Sequence, residues 1–500
     1  FSSHPTSRRY HVFAQLGYTL QRISIRAKAA PMRLIEIMIL LVLFINLINI
    51  LFIVRAGTLP ALLIWLGPLL VLLHGFIEGT RWQMYPAYLL TAVAVILYFT
   101  SVRNATRSGK VLQVRWQGAL FFSALLFLSI SLPALLPVPR LQEPGGSYTV
   151  GTMTMHLTDP ERRDPYAPDP SSRRELMVQV WYPATPDSTA AEAPWMDSAE
   201  IVAPKISAWL GLPGFFLNHL RLAESGALLD PKPFYQDAPY PVLLFSHGYG
   251  GFRAQNTNQA LELASHGFVV VAVEHTYAAV VTVFPDGRVA AHNPDTLPDD
   301  LPDQESIRAA RDLGRQWARD LEFVLDRLLD NVNQTGGGLF NTIIDANRVG
   351  AFGHSTGGGA VIEYCTNDPR CDAILTMDPY LEPVSSYTLE KGLPKPALHM
   401  FSERWSDDDN TALFNDLFNA SSGPKTSLSI AGTAHYDFSD LPLLTPLAHL
   451  IGLKGPLNGE RVTEIVNSVS VSFFEHTLLD DGEGIYSPPL NRFPELRRFP

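Results

Sequence analysis

The sequence predicts an α/β fold with a mostly parallel central sheet flanked by helices, preceded by a four-helix transmembrane module. Three observations carry that expectation. Four long apolar runs crowd the first 140 residues, β-rich runs alternate with helical ones from residue 147 onward, and the composition changes abruptly at Pro139-Arg140. At 500 residues the chain has room for about three structural units and a large core. Hydrophobic residues make up 46% and charged residues 17%, an apolar excess for a soluble protein. The net charge of -11, with Lys and Arg scattered, offers no basic stripe for phosphate backbones, so nucleic acid is not an expected partner. The two cysteines, Cys365 and Cys371, are too few for a thiolate metal site or a disulfide scaffold. Whether they pair is left open.

The apolar runs cover residues 37–54, 59–77, 85–102 and 118–138, free of Lys, Arg, Asp and Glu. Each approaches the roughly 20 residues that cross a bilayer, and Trp82, Tyr85 and Trp116 stand at their ends as interfacial aromatics do. Pro68, Asn46, Asn49 and His74 lie in or beside them, where polar residues pack helices together or mark a pathway. Arg103, Arg107, Lys110 and Arg115 load the third connection, whereas the loops near Arg55 and Arg81 are poor in basic residues. By the positive-inside rule the third loop is cytoplasmic and the chain beyond the fourth helix lies outside the cytoplasm. The basic residues Arg8, Arg9, Arg22, Arg26, Lys28 and Arg33 pull the other way. Because Met32-Arg33 directly precedes the first helix, residues 1–32 are read as a leader that need not be native. The expected organisation is a leader (1–32), a transmembrane module (33–139), a linker (140–146) containing Glu143-Pro144-Gly145-Gly146, a catalytic domain (147–482) and a tail (483–500).

In the second half, strands are expected at 147–155, 175–182, 241–246, 268–273, 348–352, 373–377, 397–401 and 426–430. Helices are expected at 256–265, 303–329, 357–364 and 461–478. Such alternation implies a parallel sheet covered on both faces, with ligands bound beyond the carboxyl ends of the strands. The polar stretch 159–173 reads as a solvated loop. The apolar stretch 190–233, with Trp195, Trp209, Leu210, Leu212, Phe215, Phe216 and Leu217, suits either a cap beside a lipid substrate or ordinary core.

Gly353-His354-Ser355-Thr356-Gly357 follows an apolar strand and opens a helix, the setting in which G-x-S-x-G marks a nucleophile. Gly353 and Gly357 are needed because any Cβ in so crowded a turn collides with its neighbours. Ser246-His247-Gly248-Tyr249-Gly250-Gly251 follows an earlier strand, so the backbone N–H groups of Tyr249 and Thr356 are the expected oxyanion pair. A serine nucleophile needs a base oriented by an acid, in chain order Ser, acid, His. Of His399, His435, His449 and His476, His435 alone sits in a loop directly after a strand and is preferred over His449. Asp378, at the end of the 373–377 strand, is the expected acid, with Asp437, Asp407 and Asp440 more at home as solvated or capping residues.

The combination of Phe245-Ser246-His247-Gly248, Leu263-Ala264-Ser265-His266-Gly267-Phe268 through Glu274-His275, Gly353-His354-Ser355 and Gly432-Thr433-Ala434-His435 resembles the plasma and type II intracellular platelet-activating factor acetylhydrolases. The resemblance covers about residues 146–480, including Gly452-Leu453-Lys454-Gly455. It implies an α/β-hydrolase fold and calcium-independent cleavage of the sn-2 ester of phospholipids with short or oxidised acyl chains. It also implies a triad of Ser355, Asp378 and His435 and an oxyanion hole at Tyr249 and Thr356, with no cofactor and no metal. Thr356 stands where the family has a bulky residue, and Thr276-Tyr277 where it has a basic-acidic pair. Gly-His-Ser-x-Gly-Gly is shared with dienelactone-hydrolase-like and cutinase-like esterases, so a broad carboxylesterase is the alternative expectation. A transporter or sensor with a hydrolase-like binding domain is a third. The expected partners are a lipid or other ester and the membrane; the oligomeric state is open.

Overall fold

The computed structural model describes residues 32–48, 61–108, 116–298, 301–333, 342–405, 407–479 and 491–499. Nearly all of the leader, Asn49, Arg55, Lys110 and Arg115 lie outside the described residues. Two compact units emerge: Phe1–Arg140 with Leu444–Pro446, and Leu141–Leu443 with Leu447–Pro500.

The first unit contains α1 (Leu34–Ile48), α2 (Ala61–Ile77), α3 (Tyr85–Ser108) and α4 (Trp116–Leu135). The four expected helices form, yet among the described residues only Trp82–Thr100 is long and apolar enough to cross a membrane. The apolar stretches Leu34–Ile48, Leu63–Ile77 and Leu120–Leu135 are shorter. The four-span module of the sequence reading is therefore not confirmed: among the described residues one helix has span length. The buried Glu36 carboxylate accepts two 2.7 Å hydrogen bonds from Arg81, a planar fork on a planar carboxylate, and a third charged partner in Arg33 at 2.7 Å.

The second unit is built on an eleven-stranded sheet. One edge is formed by β1 (Thr149–Arg163), β2 (Arg173–Ala184), β3 (Glu192–Pro194) and β4 (Glu224–Leu229), with β2 antiparallel to β1. The centre comprises β5 (Tyr240–Ser246), β6 (Val269–Glu274), β9 (Ile344–His354), β10 (Cys371–Met377), β11 (Ala397–Ser402) and β12 (Lys425–Ile430), all parallel. β7 (Val281–Val283) and β8 (Val289–Ala291) make a separate hairpin, and β13 (Leu496–Arg498) closes the far edge. The order across the large sheet is β13-β12-β11-β10-β9-β5-β6-β2-β1-β4-β3. β6 and β10 read as nearly unbroken apolar runs because helices cover both faces, and β6 is buried along its whole length. On one face α5 (Thr257–Ser265) and α6 (Gly459–Leu478) bury Leu261, Leu263, Val462, Ile465 and Phe474. On the other, α7 (Asp303–Asn333) and α8 (Thr356–Asn367) bury Leu321, Val324, Val361 and Ile362. Cys365 and Cys371 form a disulfide between the end of α8 and the start of β10.

Three boundaries differ from the sequence reading. The tail does not end the fold at 482: β13 pairs antiparallel with β12, and Phe499 stacks on Phe401 at 4.1 Å. The linker is tied down, with Gln142, Gly145 and Gly146 donating backbone N–H groups to Asn258, Glu262 and Ser265. The 159–173 stretch is only partly solvated. Asp159 and Asp164 are buried there, and Arg174 beside it bonds Asp164 at 2.7 Å and Asp320 at 2.6 Å. Burial alone would raise the Asp320 carboxyl, but Arg174, His275 and Arg162 together hold it well below the usual carboxylate range.

Candidate active site

The parallel register brings several chain reversals to one edge. Ser246 of β5 lies opposite Gly353 of β9, and His354 of β9 lies opposite Met377 of β10. The loops after these strands therefore leave the sheet side by side, where open α/β sheets bind ligands.

Ser355 occupies the turn between β9 and α8 with φ 56° and ψ -124°, a conformation costly for a residue with a Cβ. Its surroundings hold it there: Ser355 N–H donates to Met377 O at 3.0 Å, and Ser355 O accepts from Gly358 N–H and Tyr380 N–H at 2.9 Å each. The flanking glycines are sterically required. A Cβ on Gly353 would stand 2.3 Å from Gly357 O, and one on Gly357 would stand 2.1 Å from Ser246 O. Thr356 is the first helical residue of α8, so its N–H has no acceptor within the helix and faces the elbow.

Asp378 directly follows β10, fully buried and with φ 42°. Its Oδ1 accepts from Ser402 N–H at 2.7 Å, and its Oδ2 accepts from Ser402 Oγ at 2.7 Å and from His435 Nδ1 at 3.1 Å. His435 is carried by the loop after β12 and stacks on Trp405, ring centroids 5.0 Å apart. That loop is held from behind by Asp437, which accepts from Ala434 N–H at 2.8 Å and Gly455 N–H at 2.6 Å.

The other candidates serve elsewhere. Asp407 accepts from Asn410 N–H as a helix cap, and Asp440 accepts from both the backbone and side-chain N–H groups of Asn258. His399 is buried against Thr376 Oγ1 at 2.8 Å, and burial pushes its pKa down to about 3. His449 is exposed, and His476 sits on α6.

The loop after β5 lies against the elbow, since a Cβ on Gly248 would be 3.3 Å from Ser355 Cβ. Gly248 O accepts from Gly251 N–H at 2.8 Å and from His247 Nδ1 at 2.7 Å. The peptide joining Gly248 to Tyr249 is planar, so fixing its carbonyl fixes the opposite direction of the Tyr249 N–H. Burial pushes His247 down to about 3, which keeps it neutral, with the Nδ1 proton on Gly248 O and Nε2 accepting from His275 N–H at 3.1 Å. A hydrogen-bonded Ser–His–Asp chain stands behind this loop. Ser246 Oγ is 2.9 Å from His275 Nε2, and His275 Nδ1 is 2.9 Å from Asp320 Oδ2, all three residues fully buried. Sequence reasoning missed Ser402, Trp405 and this buried chain, although Ser246 and His275 both stood in motifs quoted for the family resemblance.

Residues 140–313 and 324–483 match the family model for platelet-activating factor acetylhydrolase, isoform II. Platelet-activating factor acetylhydrolase of Cavia porcellus is 26% identical over 351 residues, covering 65% of this chain and 78% of that protein. A probable 1-alkyl-2-acetylglycerophosphocholine esterase of Arthroderma benhamiae is 24% identical over 396 residues, covering 74% and 95%. Among solved structures, the ferulic acid esterase from Streptomyces cinnamoneus superposes with a TM-score of 0.60 at 28% identity, covering 73% of this chain and all of that one. Two thirds of the chain thus follows one family from the linker to the end of the last long helix, on a scaffold shared with a solved esterase. The chain is an ester hydrolase and belongs to the platelet-activating factor acetylhydrolase, isoform II, family.

Proposed function

We propose that the protein hydrolyses the sn-2 ester of phospholipids bearing short or oxidised acyl chains, with Ser355 as nucleophile, His435 as base and Asp378 as the orienting acid. One observation carries the assignment of roles: a buried Asp378 carboxylate accepts from His435 Nδ1 while Ser402 anchors both of its oxygens. With the Nδ1 proton on Asp378, the free lone pair of His435 is on Nε2. That nitrogen takes the proton of Ser355 Oγ as Oγ bonds to the ester carbonyl carbon. The carbonyl electron pair moves to oxygen, and the backbone N–H groups of Tyr249 and Thr356 receive the oxyanion. The tetrahedral intermediate collapses, and the lysophospholipid alkoxide leaves with the proton from His435. Water, deprotonated by His435, then attacks the acyl-serine and releases the free acid.

The curated relatives' names support a phospholipid substrate. The likeness to a ferulic acid esterase supports a second reading, a broader carboxylesterase. The span-length helix Trp82–Thr100 supports attachment to a membrane, and the Cys365–Cys371 disulfide supports an oxidising compartment outside the cytoplasm for the catalytic unit. Full-length protein and its Ser355→Ala form, assayed on an sn-2 acetyl phospholipid, a long-chain phospholipid and a simple short-chain ester, test the function. Serine-dependent preference for the acetyl phospholipid is expected. Equal or better turnover of the simple ester favours the second reading, and turnover surviving in Ser355→Ala refutes the roles. Protection of the catalytic unit from protease in sealed vesicles of known orientation tests its side of the membrane.

A further inference from the structure

Gln255 and His354 are both almost fully buried, at 5% and 2% exposure, and neither has a part in the chemistry above. Gln255 follows the loop that carries Tyr249, and His354 directly precedes Ser355. Gly248 N–H approaches one oxygen of the Gln255 amide at 3.2 Å, and because an N–H can only donate, that atom is Oε1. The amide nitrogen Nε2 is then the group 3.0 Å from Asn256 Oδ1 and 3.1 Å from His354 Nδ1. His354 Nδ1 must therefore accept, its proton rests on Nε2, and Nε2–H donates to the main-chain oxygen of His435 at 3.0 Å. Every donor meets an acceptor, and the direction of each bond follows from the first. His354 stays neutral, as this pattern requires: burial, and then the neighbouring His435, hold its protonation well below the ordinary range.

We propose that Gln255 and His354 are positioning residues that form one hydrogen-bonded bridge from the oxyanion loop, across the nucleophile elbow, to the backbone of the general base. At one end the bridge grips the N–H of the His247–Gly248 peptide while His247 and Gly251 grip Gly248 O of the next peptide, the one presenting Tyr249 N–H, so Gly248 is fixed through both of its peptides. At the other end it holds the carbonyl of His435, whose ring lies 4.5 Å from that of His354. The bridge adds no contact to a substrate. Its effect is to keep the oxyanion donor and the base in register with Ser355, where a shift of about 1 Å costs roughly 100-fold in rate. This inference rests on the proposed roles of Ser355, His435 and Tyr249.

The test uses full-length protein with Gln255→Met, Gln255→Asn, His354→Phe and the double variant Gln255→Met/His354→Phe. Hydrolysis of 4-nitrophenyl acetate is referred to the fraction of chains whose serine reacts with a fluorophosphonate, which removes any loss through misfolding. Each single variant is expected to lower kcat roughly 10- to 100-fold with KM within about threefold. Affinity for a trifluoromethyl ketone, whose serine adduct carries an oxyanion, is expected to fall in parallel with kcat/KM. Because the two side chains act as one unit, the double variant is expected to be no more than about threefold worse than the worse single. Single effects that multiply in the double variant overturn the bridge, as does unchanged kcat in both Gln255 variants. So does a loss confined to melting temperature or KM, which marks a purely structural pair. Should Ser355→Ala retain turnover in the same assay, the underlying roles fail instead, whatever the bridge variants do.

Discussion

Replacing Asp378 by asparagine separates the orienting role of this carboxylate from its packing, because the two side chains are nearly the same shape. Ser402 N–H can only donate, so the oxygen of the substituted amide must take the place of Oδ1, 2.7 Å from that N–H. The amide nitrogen then falls where Oδ2 stood, 2.7 Å from Ser402 Oγ and 3.1 Å from His435 Nδ1. The Ser402 hydroxyl can rotate to accept. His435 Nδ1 now faces a donor, so its proton moves to Nε2, the nitrogen that must take the Ser355 proton. The wrong tautomer and the lost carboxylate charge together are worth about 10⁴ in kcat in a Ser–His–Asp enzyme, or about 5 kcal/mol of barrier. The fold is expected to survive, since the amide keeps the hydrogen bonds to Ser402. The measurement is kcat of Asp378→Asn on a short-chain ester, alongside its melting temperature. Asp440→Asn is the control for a buried aspartate that does not touch His435, and it is expected to change kcat by less than about threefold. An Asp378→Asn enzyme within tenfold of the parent refutes the reasoning, and so does an equal loss in Asp440→Asn.

Gly357→Ala places a methyl 2.1 Å from Ser246 O and 2.4 Å from His247 O, forcing α8 away from β5; a fall in kcat of at least about 100-fold is expected in steady-state assays of folded protein. Ser246→Ala removes a hydroxyl from the buried chain behind the oxyanion loop and is expected to leave most turnover, a loss under about tenfold, in contrast to Ser355→Ala. His266 is raised to about 9 by Glu262 and Glu475. Its folded value exceeds its unfolded one, so its contribution is complete below about pH 6.5 and is lost as pH rises toward 9. After discounting for solvent screening this is about 1 kcal/mol, a fall of a few degrees in melting temperature that His266→Gln is expected to flatten. His247 behaves oppositely: with its pKa pushed down to about 3 by burial, the stability of its neutral form is present above about pH 6.5 and erodes as pH falls toward 3, which acid titration of circular dichroism will show.

The sequence made visible what is decided locally. β6 announces itself as an apolar run because both its faces are covered, and the elbow announces itself because no residue but glycine fits beside Gly357 O or Ser246 O. His435 was singled out because a strand ended and a glycine-led loop began, and the structure places its Nδ1 3.1 Å from Asp378. What stayed hidden depends on partners distant in the chain. Ser402 supports Asp378 across 24 positions, and His354 meets Gln255 across 99, so no window of sequence contains either pair. Asp159 and Asp164 were read as solvated because charge predicts exposure until opposite charges converge, as Arg162 and Arg174 do on them; the strand at Leu496–Arg498 was lost because three residues with two arginines carry no strand pattern.

The fold holds two Ser, His and Asp sets at the edge of one sheet, and the histidine–aspartate contact alone does not separate them: 2.9 Å in one and 3.1 Å in the other. Burial and strain do. Ser246, His275 and Asp320 have no exposed surface, His275 is stacked on Trp317 at 4.0 Å, and Arg174 and Arg162 already claim the Asp320 carboxylate. An imidazolium there would meet two guanidinium groups, and burial together with those charges outweighs Asp320 in lowering the His275 pKa. That chain is poised to stay neutral and still. Ser355 and His435, by contrast, keep partial exposure, and in the proposed mechanism the charge that develops on His435 meets a carboxylate whose other hydrogen bonds, among the described residues, come from Ser402. On the proposed roles, the same three residue types serve as a brace when sealed behind the strand ends and as a proton relay when one nitrogen is left open to the elbow. The strained Ser355 backbone supports that division, since Ser246 ends β5 in ordinary strand geometry while Ser355 is held at φ 56° by glycines on either side.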